Sequence, residues 1–153
     1  MVGYLAPDQE TRVRFPPCPF SKVNILIILR KNMEVFLDSS FIISCIRERI
    51  DFLTQLEEQG FKVLVPLEVL QEMKDLRNKN KTSHEDRVAI DVAMEMIENR
   101  KVKKTRLTGG SVDDGLIKKG KEGYYIATLD SGIKHEVPKK VVLFRAQGKV
   151  GVE

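Results

Sequence analysis

Apolar and polar positions change period several times along this chain, and each change marks an element. From Met33 onward, the run Glu-Val-Phe-Leu at 34–37 reads as a short strand, and two helical stretches follow it at 39–45 and 49–59. In the second stretch Ile50, Leu53 and Leu56 recur at helical spacing, and Gly60 supplies a C-terminal stop. A second strand-helix unit comes next: 61–65 is a strand, Pro66 suits a helix start, and Leu67, Leu70, Met73 and Leu76 mark one apolar face. The polar stretch 77–81 is a loop. Thr82 with Glu85 and Ser83 with Asp86 both offer a capping box to a long helix ending near Arg100. Its buried stripe is predicted as Val88, Ala89, Val92, Ala93, Met96 and Ile97. Beyond it the pattern predicts a short strand at 102–107, a helix at 112–121, a strand at 124–128, a turn or short helix at 131–136 and a last strand at 141–144.

Strands that alternate with helices predict an α/β fold, a three-layer sandwich in which a central parallel sheet of about five strands is flanked by helices. Ligands bind such sheets beyond the carboxyl ends of the strands, so acids at those ends are the ones to follow. The domain is expected to span 33–153. Residues 1–32, with prolines at Pro16, Pro17 and Pro19, are expected to be an extension: a flexible arm, an unused upstream start, or an added edge strand through 24–29. No internal repeat or low-complexity tract interrupts the pattern.

Composition narrows the class. A chain of 153 residues with 42% hydrophobic and 31% charged positions suits one soluble domain with a core. A net charge of +4 favours a polyanionic partner, though weakly. Cys18 and Cys45 form no CxxC motif and the only histidines are His84 and His135, so a structural zinc site is not expected and any metal would be bound by oxygen. Isolated cysteines also point to a reducing compartment, and the protein is expected to be cytoplasmic. The longest apolar run, 23–29, is far short of the ~20 residues of a membrane span, the N-terminus lacks signal-peptide organisation, and no membrane partner is expected.

The acids then come into view. Asp38 stands where the first strand ends and Asp130 where a later one ends. Glu72 falls about two turns into the helix after the second strand, and Asp113 with Asp114 opens the helix before the strand at 124–128. Any one of them alone reads more simply as a turn former, a helix cap or a solvated charge. Brought together without basic neighbours they would repel, and the cluster becomes sensible when Mg²⁺ or Mn²⁺, which prefer oxygen ligands, neutralises it. Other motifs with an acid after a first strand fit less well. Dehalogenase-type phosphatases need a second Asp where Ser40 stands, metal-adhesion motifs need a hydroxyl where Ile42 stands, and a receiver domain wants its acidic pair early, whereas here it comes at Asp113-Asp114. Gly109-Gly110-Ser111 lacks the lysine of a phosphate-cradling loop.

The order Asp38-Ser39-Ser40, Pro66-x-x-Val69-Leu70-x-Glu72-Met73, Asp113-Asp114-Gly115-Leu116-Ile117 and Ala127-Thr128-Leu129-Asp130 resembles the PIN-domain family. The ending Val142-Leu143-Phe144-Arg145 is similar to archaeal PIN proteins related to the ribosomal-RNA processing factor Fcf1. The likeness covers Met33 to about Phe144. It implies a PIN-like nuclease fold whose acids fall on Asp38, Glu72, Asp114 and Asp130, with Ser40 and Thr128 as hydroxyl supports and Asp113 as a further metal ligand. Glu68, one turn before Glu72, ranks below them. Leu129 replaces a frequent asparagine and Gly115 a usual alanine, but no carboxylate is lost.

The implied activity is that of a Mg²⁺- or Mn²⁺-dependent endoribonuclease that hydrolyses RNA phosphodiester bonds and leaves a 5′ phosphate, with ribosomal-RNA processing as its setting. The alternatives are a toxin ribonuclease of a toxin-antitoxin pair and a non-catalytic PIN module that binds RNA or protein. Expected partners are RNA, a second copy in a homodimer, and an antitoxin or a ribosome-assembly protein. Lys74, Arg77, Lys79 and Lys81 are the basic cluster expected to follow an RNA backbone, with further clusters at 100–106 and 118–121; a solvated charged face is the competing reading for each. Tyr124 and Tyr125 read as strand core rather than as base-stacking platforms.

Overall fold

The computed structural model describes residues 33–153; the extension 1–32, with the edge strand expected over 24–29 and with Cys18, lies outside the described residues. Strand β1 (Glu34–Leu37) leads into helices α1 (Ser39–Arg47) and α2 (Phe52–Glu58), strand β2 (Lys62–Pro66) into α3 (Leu67–Asn78) and α4 (His84–Asn99). Strand β3 (Lys103–Thr105) precedes α5 (Val112–Lys121), β4 (Tyr125–Ala127) precedes α6 (Ser131–Glu136), and β5 (Lys140–Phe144) turns through a short 3₁₀ helix (Arg145–Gln147) into β6 (Lys149–Val152). No described helix is long and apolar enough to cross a membrane.

The six strands form one sheet in the order β3-β2-β1-β4-β5-β6. β1 lies at its centre, parallel to β2 through Val35↔Val63 and to β4 through Phe36↔Ile126. β3 and β5 extend the sheet in parallel, and β6 alone runs antiparallel, through Leu143↔Val150. Because side chains alternate across a strand, each central strand feeds two cores. Val35, Leu37, Val63, Val65 and Ala127 face the larger one, shared with α1 to α4. Phe36, Leu64 and Ile126 face a smaller one, closed by Leu116 of α5 and Ile133 of α6. The molecule is therefore an α/β sandwich with a mostly parallel sheet between two helical layers.

Three features depart from the pattern-based expectation. On α4 the buried stripe is Ala89, Ile90, Ala93 and Ile97, whereas Val88 and Val92 are exposed at 46% and 39%. Two apolar stripes lie side by side on this helix, and the one carrying small Ala89 and Ala93 lets the packed neighbour α1 approach. On α3 the fully buried Val69 takes the place expected for Leu67, which is 37% exposed. The sixth strand was hidden in a short glycine-containing tail: Gly148, at φ 63, makes the reversal that few other residues tolerate. The outer edge of β6 is satisfied by α2, where Gln55 Nε2 donates to Gly148 O (3.1 Å), Val150 N donates to Gln55 Oε1 (2.8 Å) and Gln59 Nε2 donates to Val150 O (2.8 Å). Of the two offered capping boxes, Ser83 makes the cap, accepting from Asp86 N at 3.1 Å, while Thr82 Oγ1 donates to Leu76 O.

Candidate functional site

The sheet places its acids by ending its strands. β1 stops at Leu37, and Asp38 then caps α1: its Oδ1 accepts from Ser39 N at 2.8 Å, satisfying an amide that the helix leaves open. Its Oδ2 accepts from Ser40 Oγ at 2.8 Å and from Thr128 Oγ1 at 2.7 Å, and the residue is only 5% exposed. Three donors around one carboxylate hold it in a single orientation. Thr128 is fully buried beyond the end of β4, and its hydroxyl also accepts from Asp130 N at 3.1 Å. Asp130 caps α6 through Oδ1, which accepts from Gly132 N (2.7 Å) and Ile133 N (3.3 Å). Glu72, on α3, accepts from Ser39 Oγ at 2.8 Å. Ser39 was not singled out in the sequence; its signal was a second hydroxyl beside Ser40 at a helix start.

A cleft of about 350 Å³ opens beyond these strand ends, and Asp38, Glu72, Asp113 and Asp130 line it with Ser39, Ser40 and Leu129. No Lys or Arg of the described residues lines it. Asp114, expected as the third acid, is not part of that wall; Asp113 is. Successive residues of a helix are about 100° apart, so the two adjacent acids at the start of α5 point in different directions, and Asp113 is the one on the cleft wall. Ser111 fixes the rotation by accepting from Asp114 N at 3.1 Å. Partial burial, and then the negative charges of Asp38, Asp130 and Asp114, hold the Asp113 carboxyl above its ordinary pKa.

This donor set is all oxygen and carries uncompensated negative charge, which fits a hard divalent cation. Among the described residues no three Asp, Glu, His or Cys side chains stand close enough to enclose an ion by themselves. Glu68, the acid one turn before Glu72, has a different use: its Oε1 accepts from Leu107 N at 2.9 Å.

The basic residues divide into engaged and open ones. Arg77 makes a two-pronged pair with Asp91 of α4, its Nε donating to Oδ1 and its Nη2 to Oδ2 at 3.0 Å, so its guanidinium is already occupied. Lys74, Lys79 and Lys81 have no acidic partner among the described residues, and none of the three lines the cleft. Elsewhere Arg100 pairs with Asp51 and Glu57, Lys104 with Glu98, Lys119 with Glu122 and Lys121 with Glu136. Tyr124, just before β4, meets Phe36 edge-on and Tyr125 meets Phe61; both tyrosines are half-buried, with Lys119 over Tyr124 and Lys139 over Tyr125. Cys45 is buried, which pushes its thiol up to about 12 and leaves it unreactive.

No protein-family model matches the chain, and no curated protein does. Among solved structures it is similar to the PIN domain endonuclease Utp24, with 19% identity and a TM-score of 0.59 over 78% of this chain and 90% of that one. At that identity the likeness speaks for architecture, and it agrees with the mostly parallel sheet and its flanking helices. The chain has a PIN-like fold.

Proposed function

We propose that this chain is a divalent-metal-dependent endoribonuclease that hydrolyses RNA phosphodiester bonds at the acidic cleft. The observation that carries the reading is the convergence of Asp38, Glu72, Asp113 and Asp130 on one cleft, at the carboxyl ends of the strands, with no basic side chain of the described residues in its lining. Like charges gathered this way are costly unless a cation joins them, and the Asp113 carboxyl, raised first by partial desolvation, is raised further by Asp38, Asp130 and Asp114. Bound Mg²⁺ or Mn²⁺ would supply a more acidic water and shield the charge of a phosphodiester.

One or two of Asp38, Glu72, Asp113 and Asp130 would hold such an ion directly and the others through water. A hard cation commonly needs only one or two protein carboxylates, completing its oxygen shell with water and substrate phosphate, which suits a cleft where no three side chains enclose an ion. Ser40 and Thr128 fix the Asp38 carboxylate, and Ser39 aims Glu72. Lys74, Lys79 and Lys81 offer positive charge to the RNA backbone. The likeness to an endonuclease favours cleavage within a strand, and processing of ribosomal RNA is the setting that the sequence resemblance implies.

The test is cleavage of structured and single-stranded RNA, with a DNA strand of the same sequence as control, in Mn²⁺ or Mg²⁺. Wild type should cut RNA, and Asp38→Asn and Asp113→Asn should each lose activity on the order of 10²-fold or more. Equal activity in all three proteins, or cleavage of DNA alone, would overturn the reading.

A further inference from the structure

We infer that Glu68 is a positioning residue: its carboxylate grips the Leu107 amide and thereby seats the start of α5, which carries Asp113 into the cleft. The inference rests on the nuclease reading only for its effect on catalysis; the positioning itself is a statement about the fold.

The need for this contact follows from where the sheet stops. β2 and β3 are parallel and in register through Pro66↔Thr105, but β2 turns into α3 at Leu67. The chain beyond Thr105 thus runs past the last strand residue of its neighbour, where β2 offers no further ladder acceptor to the Leu107 N–H. Glu68, in the first turn of α3, supplies the acceptor from its side chain, Oε1 standing 2.9 Å from Leu107 N. The half-buried carboxylate extends the β2–β3 pairing with a charge-assisted bond.

Leu107 then passes the restraint on. A Cβ added at Gly115 would stand 2.7 Å from Leu107 Cβ, so the leucine lies directly against the α5 backbone two residues after Asp113. That contact accounts for glycine at 115, where a larger residue would push α5 away. Gly109 comes close from the other side, its added Cβ being 3.3 Å from Gly115 N. The first turn of α5 is thus packed against a segment whose anchor is Glu68, and Asp113 takes its place on the cleft wall from that turn. Glu68 does not line the cleft, so it acts through Leu107 rather than on a substrate.

Glu68→Gln keeps a side-chain oxygen that accepts from Leu107 N but removes the charge, whereas Glu68→Ala removes the acceptor. In the full chain without metal or RNA, amide hydrogen exchange followed by NMR should show faster exchange at Leu107 and in the first turn of α5 for Glu68→Ala, with the β1 amides unchanged and Glu68→Gln close to wild type. With Mn²⁺ alone, Glu68→Ala should bind about tenfold more weakly and Glu68→Gln nearly normally. In RNA cleavage, kcat should fall about tenfold or more in Glu68→Ala with little change in KM, as expected for a displaced catalytic group. Unchanged α5 exchange in Glu68→Ala would overturn the inference whether or not the protein cuts RNA. Equal loss of Mn²⁺ affinity in Gln and Ala variants would overturn it too, by making Glu68 a ligand in its own right. The expected exchange pattern in the variants, together with a wild type that cleaves no RNA, would instead count against the nuclease reading alone.

Discussion

Thr128 has one hydroxyl and two neighbours to serve, donating to Asp38 Oδ2 and accepting from Asp130 N, so the acids at the ends of β1 and β4 are tied through a single buried atom. Asp113 has no such tether. Its carboxyl is held above its ordinary pKa by partial burial and by Asp38, Asp130 and Asp114. An acid whose pKa is higher folded than unfolded keeps its proton more readily in the native state, so stability declines as pH rises between the two values and stays reduced above them. Asp113→Asn should therefore melt at a higher temperature than wild type at pH 7 without metal. The gain should be a few tenths of a kcal/mol, about what solvent screening leaves at an exposed carboxyl. It should vanish at pH 3, below the ordinary aspartate value of about 3.9. Equal melting temperatures at both pH values would show that the cluster does not strain Asp113. The placement of Asp38 and Asp130 at strand ends is legible in the sequence because strand ends are legible. Which of Asp113 and Asp114 borders the cleft is not, since it depends on helix rotation, which Ser111 and the packing of Gly115 on Leu107 set.

Among the elements, α5 is the one whose placement most directly sets the site. Its buried Leu116 closes the smaller core against Phe36, Leu64 and Ile126, and its far end passes so close to α6 that a Cβ on Gly120 would overlap Val137 Cγ1. Gly120→Ala favours the helix by about 1 kcal/mol in isolation. Val137 is β-branched and cannot rotate out of the way, and overpacking of this kind costs about 1–3 kcal/mol. The net effect should be a lower urea midpoint and, because α5 carries Asp113, weaker Mn²⁺ binding; a raised midpoint would mean that α5 and α6 have room to spare. The range 112–121 of this helix could be read directly, with Ser111 before it as a cap and lysines in its last turn. Strand β6 could not, because its backbone partners Gln55 and Gln59 are more than ninety positions away in sequence and its own residues alternate only weakly. The exposed face of α4 was misread for a related reason: two adjacent apolar stripes have the same period, and only α1 and α3 decide which is covered.

Across the whole molecule the net charge of +4 says less than the distribution of pairs. Arg77, Arg100, Lys104, Lys119 and Lys121 all have acidic partners, so these five positive charges are already paired within the fold. Lys74, Lys79 and Lys81 are different, being exposed and without an acidic partner among the described residues. The loop that carries the last two is held by Arg87 Nη2, which donates to Lys79 O at 3.0 Å, and by the Thr82 hydroxyl on Leu76 O. Positive charge on a held loop loses little conformational entropy when it meets a phosphate backbone. Changing all three lysines to glutamate should therefore raise KM for RNA at low salt while leaving kcat near wild type, since no carboxylate of the cleft is touched. If each lysine meets one phosphate, the slope of log K against log salt for single-stranded RNA should shrink by about 2, at ~0.7 per contact. Arg77→Ala should act otherwise, loosening the contact between α3 and α4 with a smaller change in the salt slope, because its guanidinium is spent on Asp91. An unchanged slope in the triple variant would make these lysines a solvated face.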